Sequence, residues 1–256
     1  ITSGRHLPEA WRDNFITNDF RGNRINRFTM TEDGSGYAVR KQADLLSSTH
    51  VAFRPVDVKM GPDGAIYIAD WYNPIIQHGE VDFRDPRRDQ VQGRIWRITA
   101  KDRPLVERPR LVGASNQALL DALTAPERWT RDHAKQILVN RGKEKVLSSL
   151  KAWVVGLDAN DARFERNRLE ALWLCQGLDA VEPDLLATVL KSSDPHVRAG
   201  AMRVLFYWLP QVPEHMSHLT SGVRDAHARV RLEAVRALGQ AGSREAAALA
   251  LEVLDQ

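Results

Sequence analysis

The spacing of apolar residues changes once along the chain, near residue 115, and this change limits the possible folds more than any other feature. From Ser115 onward, apolar residues recur every three to four positions, as on one face of a helix. Before it, short alternating segments are separated by Gly, Asp and Asn, as in antiparallel strands. The sequence therefore predicts a β domain at 1–104, a linker at 105–114 and an α-helical domain at 115–256.

Strands are predicted at 14–20, 24–30, 54–60, 65–71 and 93–100, with a further strand after the Gly-rich turn near residue 34. Two segments are alike: "NFITNDF…NRINRFTM" and "AIYIADW…GRIWRITA" both place a strand, an Asp-aromatic exit, a loop and an Arg-Ile-x-Arg strand in order. Such a repeat is typical of β-propeller blades. We therefore expect a partial β-propeller of about one and a half blades.

The helical half also repeats, because Arg131, Arg166, Arg198 and Arg231 lie at intervals of 35, 32 and 33 residues in similar helical segments. This spacing predicts an α-solenoid of antiparallel helix pairs that stack on their neighbours. The segment "DPHVRAGA" resembles HEAT repeats. We expect the arginines to bridge to Asp of the adjacent repeat, with ligand binding as the alternative.

Composition excludes several classes of function. The net charge of +3 comes without a basic stripe, so no nucleic-acid partner is expected. No run of about 18 apolar residues could span a membrane. The only cysteine, Cys175, allows no internal disulfide, and no haem-attachment motif is present. The first residues carry neither an initiator Met nor a signal peptide, so we expect a fragment of a larger protein.

The segment "RPVDVKMGPDGAIYIADWYN", followed by "GRIWRITA", resembles the last blades of soluble sugar dehydrogenases. Joined to helical repeats, the sequence is similar to a bacterial family labelled as membrane-bound dehydrogenases. In that family a glucose/sorbosone-dehydrogenase-like propeller precedes HEAT repeats and often a C-terminal haem-binding domain. The resemblance implies a quinoprotein-type sugar or alcohol dehydrogenase, a periplasmic or cell-envelope location, and a cytochrome domain or other protein bound by the HEAT surface.

The blade topology would bring three loops to one face, and most candidate site residues are assigned on that basis. Asp57 and Lys59 are assigned instead because both would lie on the inner strand of a blade and point the same way, as a channel-lining pair. His50 and His78 are the candidate catalytic bases, and Trp71 and Tyr72 are candidates for binding the sugar or alcohol. Arginine forks suit the carboxylates of pyrroloquinoline quinone (PQQ), and carboxylates suit calcium. The candidate cofactor-binding residues are Arg21, Arg54, Asp57, Lys59, Arg84, Arg87 and Arg88, and the candidate metal ligands are Asp70, Asp82 and Asp89.

Structural alternatives stand beside each assignment. The Asp and Arg residues between 82 and 89 could instead form a salt-bridge network that pins a long loop, and Trp71 and Tyr72 could be packing residues. His215 and His218 are three apart on a predicted helix, and we treat them as surface residues. For the whole chain, the alternative to a dehydrogenase fragment is a non-catalytic protein- or glycan-binding module. The isolated chain is expected to be catalytically inactive.

Overall fold

The computed structural model describes residues 1–77 and 79–255 and divides them into two compact units. The first unit comprises Ile1–Thr31, Tyr37–Pro109 and Pro126–Thr130. The second comprises Glu32–Gly36, Arg110–Ala125 and the helices that follow Arg131.

The first unit is built from two open antiparallel sheets. In one, β1 (Phe15–Asp19), β2 (Arg24–Asp33) and β3 (Gly36–Lys41) are neighbours in that order, and the short β4 (Leu46–Ser47) also pairs with β2. In the other, β5 (Pro55–Met60), β6 (Ile66–Asp70) and β7 (Arg94–Ile98) form a simple meander. The predicted strands are therefore confirmed, whereas residues 1–77 and 79–255 form no closed barrel or propeller.

The core of the first unit contains Leu7, Ile25, Ile66 and Ile68, against which partly buried side chains of β1, β4, β5 and β7 pack. Strand β6 supplies two of these residues because side chains alternate between the faces of a strand. The same alternation places Asp70 on the buried side, and only 4% of its surface is exposed. A buried carboxylate must find hydrogen-bond donors, so the hydrophobic pattern of β6 makes Asp70 an organising residue.

The chain leaving the second sheet is held by a buried histidine. His6 accepts the backbone N–H of Ala100 at Nε2, at 2.9 Å, so its Nδ1 carries a proton and donates to the carbonyl of Pro104, also at 2.9 Å. Gly64 ends the tight turn between β5 and β6 with φ of +80°, and a side chain there would meet His6 at 2.7 Å. This turn therefore requires glycine for both its backbone angle and its packing.

The second unit consists mainly of helices, as the three-to-four-residue spacing of apolar residues predicts. The helices of the described residues are α1 (Asn116–Asp121), α2 (Arg128–Arg141), α3 (Lys143–Val155), α4 (Phe164–Gly177), α5 (Pro183–Val189), α6 (Pro195–Trp208), α7 (His215–Val223), α8 (Ala228–Ala241) and α9 (Arg244–Leu251).

Helix termini follow the local sequence signals. Ser115 and Ser243 cap α1 and α9 by accepting a backbone N–H three residues later. Helix α8 continues past Gly239 and ends before Gly242, which has the left-handed φ of +64° that favours glycine.

The arginine ladder stabilises the array from inside. Arg131, Arg198 and Arg231 each donate from NH1 to the carbonyl six residues earlier, at 2.8 Å. Arg198 also forms a two-point ion pair with Asp225 of the next repeat, at 2.7 and 2.9 Å. Arg166 instead reaches the carbonyl of Thr124 at 3.0 Å. The predicted bridge to an adjacent Asp is thus confirmed for Arg198, and the ladder is structural.

Candidate functional site

Asp70 organises the exit from β6, where the long loop of residues 71–93 begins. Its Oδ1 accepts the backbone N–H groups of Arg54, at 2.8 Å, and Tyr72, at 2.9 Å. Its Oδ2 accepts Nε1–H of Trp96 at 3.0 Å. One buried carboxylate therefore connects all three strands of the β5–β6–β7 sheet and fixes the backbone of Tyr72.

Tyr72 lies at the centre of a group of stacked side chains. Its φ of +52° is in the left-handed region, which is uncommon for a residue other than glycine and often marks a functional site. The His50 ring stacks on it with centroids 5.5 Å apart and an interplanar angle of 20°. The guanidinium carbon of Arg94 lies 3.3 Å from the centre of the Tyr72 ring, in a cation–π contact. The ring of Tyr72 thus fixes the positions of His50 and Arg94.

His50 is oriented by its own backbone turn. Its Nδ1 accepts the backbone N–H of Ala52 at 3.2 Å. In the neutral ring the proton is therefore on Nε2, which can donate a hydrogen bond. A general base needs an unprotonated nitrogen facing its substrate, so this arrangement suits His50 as a donor to a ligand.

The loop of residues 71–93 is pinned by its own backbone. Arg88 is buried and donates to the carbonyls of Asp82, at 2.9 Å, Val81, at 2.8 Å, Ile75 and Gln77. These bonds use every nitrogen of its guanidinium group. Arg88 therefore acts as an internal brace of the loop through backbone carbonyls, whereas the structural alternative expected salt bridges.

Asp85 and Arg87 form a second local contact in the loop. Arg87 donates from Nε and NH2 to the two carboxylate oxygens, at 2.9 and 2.7 Å, and its backbone N–H also donates to Oδ1. The side-chain hydrogen bonds from Arg87, followed by its backbone N–H, lower the pKa of Asp85 to about 2. Asp85 consequently stays ionised over the physiological range, and the pair carries no net charge.

An open cleft lies between the pinned loop and the His50 turn, with a volume of about 740 Å³. A smaller depression of about 310 Å³ on the other side of His50 and Tyr72 includes Arg94 and Trp96. The larger cleft contains two acids and two arginines, so it is close to neutral. Its lining residues are His50, Val51, Ala52, Tyr72, Pro74, Asp85, Pro86, Arg87, Arg88, Asp89, Gln90 and Val91.

The structure brings together only part of the predicted site. His50, Tyr72, Arg87, Arg88 and Asp89 share the cleft, and Asp70 lies in the adjoining depression. The other residues assigned from sequence line neither cavity; they are Arg21, Asp57, Lys59, Trp71, Asp82 and Arg84, together with the buried Arg54. His78 lies outside the described residues.

Two of the predicted cofactor residues form a separate contact on the sheet. Asp57 and Lys59 project from β5 into solvent and form an exposed ion pair at 3.1 Å. Two residues that the sequence analysis missed, Arg94 and Trp96, stand on β7 and contact Tyr72 and Asp70. Their separation by two positions on a strand is the signal that could have identified them.

Two of the arginines predicted to bind PQQ, Arg54 and Arg88, are engaged by backbone carbonyls. Arg54 is buried and donates to the carbonyls of Phe20, at 2.8 Å, Asn73, at 3.0 Å, and Pro74, at 3.3 Å. Burial lowers its pKa, in keeping with its withdrawal from solvent. Arg54 and Arg88 thus direct their donors at the protein itself, and carboxylates of a quinone would have to displace those bonds.

Two of the predicted calcium ligands, Asp70 and Asp89, accept hydrogen bonds within the protein. Both oxygens of Asp70 accept N–H groups, and Asp89 Oδ1 accepts the backbone N–H groups of Val91 and Gln92. Among residues 1–77 and 79–255, Asp70, Asp82 and Asp89 do not come together as a group that could share an ion.

Two known families match the chain, one in its β half and one in its helical half. Residues 1–102 match the family described as Domain of unknown function (DUF7133), and residues 182–256 match the family described as HEAT repeats. No curated protein matches the sequence. The helical half therefore contains HEAT repeats, which are a scaffold for protein interaction, and neither family description names a dehydrogenase.

In the described part of the chain, no helix combines the length and apolar character needed to cross a bilayer.

Proposed function

We propose that this chain is a non-catalytic binding module, in which the HEAT helices are the scaffold and the cleft beside Tyr72 holds a neutral polar ligand such as a glycan. The proposal rests on the hydrogen bonds that the polar side chains of the cleft already make within the protein. Arg88 is satisfied by backbone carbonyls, Asp85 is paired with Arg87, and His50 is held as a donor.

The charge of the cleft favours a neutral ligand. Asp85 and Asp89 balance Arg87 and Arg88, so neither a polyanion nor a cation gains from long-range attraction. The backbone and side-chain hydrogen bonds of the loop fix the walls before a ligand arrives, which reduces the entropy lost on binding. Hydroxyl groups of a sugar can both donate to Asp89 and accept from His50.

Glycan binding by the whole chain is the test, measured by saturation-transfer NMR with neutral oligosaccharides and followed by titration. His50→Asn keeps an acceptor for the Ala52 N–H but removes Nε2–H, and should weaken binding by roughly fivefold, the value of one neutral hydrogen bond. Lys59→Ala, on the exposed face of β5, is the matched control and should change nothing. Equal effects of the two substitutions, or no binding by any neutral glycan, would contradict the proposal.

The helical surface supports a protein partner. A groove of about 320 Å³ is lined by Phe206, Tyr207, Leu209, Pro210, His215, Gln240 and Ala241. Tyr207 is 57% exposed, and its ring packs edge-on against that of Phe206 with centroids 4.9 Å apart, so its amphipathic ring is accessible at the surface. Tyrosine is enriched where proteins dock. A cytochrome domain is one candidate partner, and its periplasmic or cell-envelope setting rests on the family resemblance.

A dehydrogenase fragment remains the second candidate, supported by the sequence resemblance and by the presence of His50 in the cleft wall. In such an enzyme the β unit would belong to a partial propeller, and PQQ would accept a hydride from a sugar or alcohol. Titrating the chain with PQQ in the presence of calcium tests the cofactor site of this function. Quinone binding that Arg87→Ala abolishes would favour it over the binding module.

A further inference from the structure

Two helices of the second unit begin with the same short motif, Asp-x-His. It comprises Asp194–His196 at the start of α6 and Asp225–His227 at the start of α8. In each motif the aspartate Oδ1 accepts the histidine's backbone N–H, at 2.8 and 2.9 Å. Because the two turns hold their histidines in place, the two rings meet edge-on with centroids 5.5 Å apart.

Glu32, a residue of β2 at which the second unit's segment Glu32–Gly36 begins, completes the group. Its Oε1 lies 2.6 Å from Nε2 of His196, and its Oε2 lies 3.6 Å from Nε2 of His227. One ligand atom from each of the three residues lies within 4.8 Å of the other two. Within residues 1–77 and 79–255, this is the set of three His, Cys, Asp or Glu side chains that is close enough to share an ion.

We propose that Glu32, His196 and His227 bind a divalent transition-metal ion, for which Zn²⁺ is the best fit. Two imidazole nitrogens and one carboxylate oxygen, with water as the fourth ligand, are a common set for tetrahedral zinc. Bond lengths near 2.1 Å place tetrahedral ligands about 3.4 Å apart. The observed separations are 2.6 Å from Glu32 Oε1 to His196 and 3.6 Å from Glu32 Oε2 to His227, which lie on either side of that value. The partly exposed side chains can adjust by the remaining distance.

The surroundings of His196 prepare it as a ligand. Its Nδ1 lies 3.1 Å from Asp194 Oδ1 and its Nε2 lies 2.6 Å from Glu32 Oε1, so both ring nitrogens face carboxylate oxygens. A metal ion at Nε2 would take the place of the proton shared with Glu32 and leave the Nδ1 proton directed at Asp194. A carboxylate that orients the other nitrogen of a metal-bound histidine is a regular feature of zinc sites. Asp194 therefore has two roles: it caps α6 and it orients the ring.

His227 must change its tautomer to bind. Its Nδ1 accepts the backbone N–H of Arg229 at 3.3 Å, so the neutral ring carries its proton on Nε2. Coordination at Nε2 moves that proton to Nδ1 and breaks the long bond to Arg229. Nitrogen ligands favour zinc, nickel and copper over magnesium and calcium, so the site should discriminate against the latter ions.

Calorimetric titration of the metal-free full chain with Zn²⁺ tests the site. We expect one zinc per chain, no binding of Mg²⁺, and d–d absorption bands of tetrahedral geometry when Co²⁺ replaces Zn²⁺. Asp194→Asn keeps an oxygen to cap α6 but removes the charge beside His196, and should weaken zinc binding by about 10–100-fold. His196→Ala, His227→Ala and Glu32→Gln remove ligands and should weaken it at least as much.

The matched control is the double variant His215→Ala/His218→Ala, which removes another pair of helical histidines on α7. It should leave zinc affinity and the cobalt spectrum unchanged. Helical circular dichroism of each variant verifies that it is folded, and His196→Gln replaces the alanine variant if that one is not. Absence of zinc binding, or binding that survives His196→Ala and is lost in the control, would overturn the proposal.

Discussion

Replacing Asp70 by alanine tests whether one buried carboxylate organises the candidate cleft. In the native structure its oxygens accept N–H groups from Arg54, Tyr72 and Trp96 at 2.8 to 3.0 Å. The substitution removes both acceptor oxygens, and with them three hydrogen bonds, without removing any donor. Trp96 is 43% exposed, so its indole N–H can bind water instead, whereas the backbone N–H groups of Arg54 and Tyr72 lie in the less accessible interior.

The expected loss follows from these partners. Two enclosed donors left without an acceptor cost about 1–3 kcal/mol each, so Asp70→Ala should reduce the free energy of unfolding of the first unit by about 2–6 kcal/mol. Asp70→Asn retains an oxygen for the two backbone groups but turns an amide N–H₂ toward Trp96. It should therefore cost less, about 1–2 kcal/mol.

Hydrogen exchange under increasing urea is the suitable assay, because peptides from β5, β6 and β7 report the first unit separately from the helices. Asp57→Ala is the control, since Asp57 is exposed on β5 and its ion pair with Lys59 is solvated. We expect the destabilisation to decrease from Asp70→Ala to Asp70→Asn and to be smallest for Asp57→Ala. If Asp70→Ala lies within about 0.5 kcal/mol of Asp57→Ala, the structural role of Asp70 is refuted.

Three further changes test other parts of the fold. Gly64→Ala should destabilise the first unit by about 1–3 kcal/mol in urea unfolding, and more than Gly113→Ala, which has a similar positive φ but open space around it. Burial raises the pKa of Asp225, but the hydrogen bonds from Arg198 and a backbone N–H lower it by more, so the pKa lies below its ordinary value. The stability that Asp225 contributes is thus complete above the unfolded-state pKa, about 3.9, and is lost as the pH falls through the folded-state pKa. Thermal unfolding measured from pH 6 to pH 2 should show this loss in the native chain but not in Asp225→Asn. Burial raises the pKa of Cys175 to about 12, so mass spectrometry should find iodoacetamide adducts at pH 8 only after unfolding.

Local signals predicted the secondary structure well because they act within a few residues. Alternation defined β6, and the spacing of arginines defined the helical repeats. The same signals assigned Arg54 and Arg88 to a ligand because Arg88 lies in a polar loop and Arg54 stands at the start of a predicted strand, beside another loop. The fold instead surrounds each guanidinium with backbone carbonyls that are up to 34 residues away, and no local pattern encodes those carbonyls.

The proposed metal site likewise combines a local sequence motif with a residue that is distant in the sequence. His196 and His227 each follow an aspartate by two residues, and that motif is visible in the sequence. Glu32 is 164 residues from His196, and nothing in the spacing of apolar or charged residues links the two.

The sequence by itself determined the two halves of this protein, their strands and helices, and the HEAT repeats, because hydrophobic periodicity and capping residues depend on near neighbours. Only the tertiary structure decided which charged side chains are free to meet a ligand. That outcome depends on burial and on the partners that distant segments bring, as with Asp70, Arg88 and the group formed by Glu32, His196 and His227.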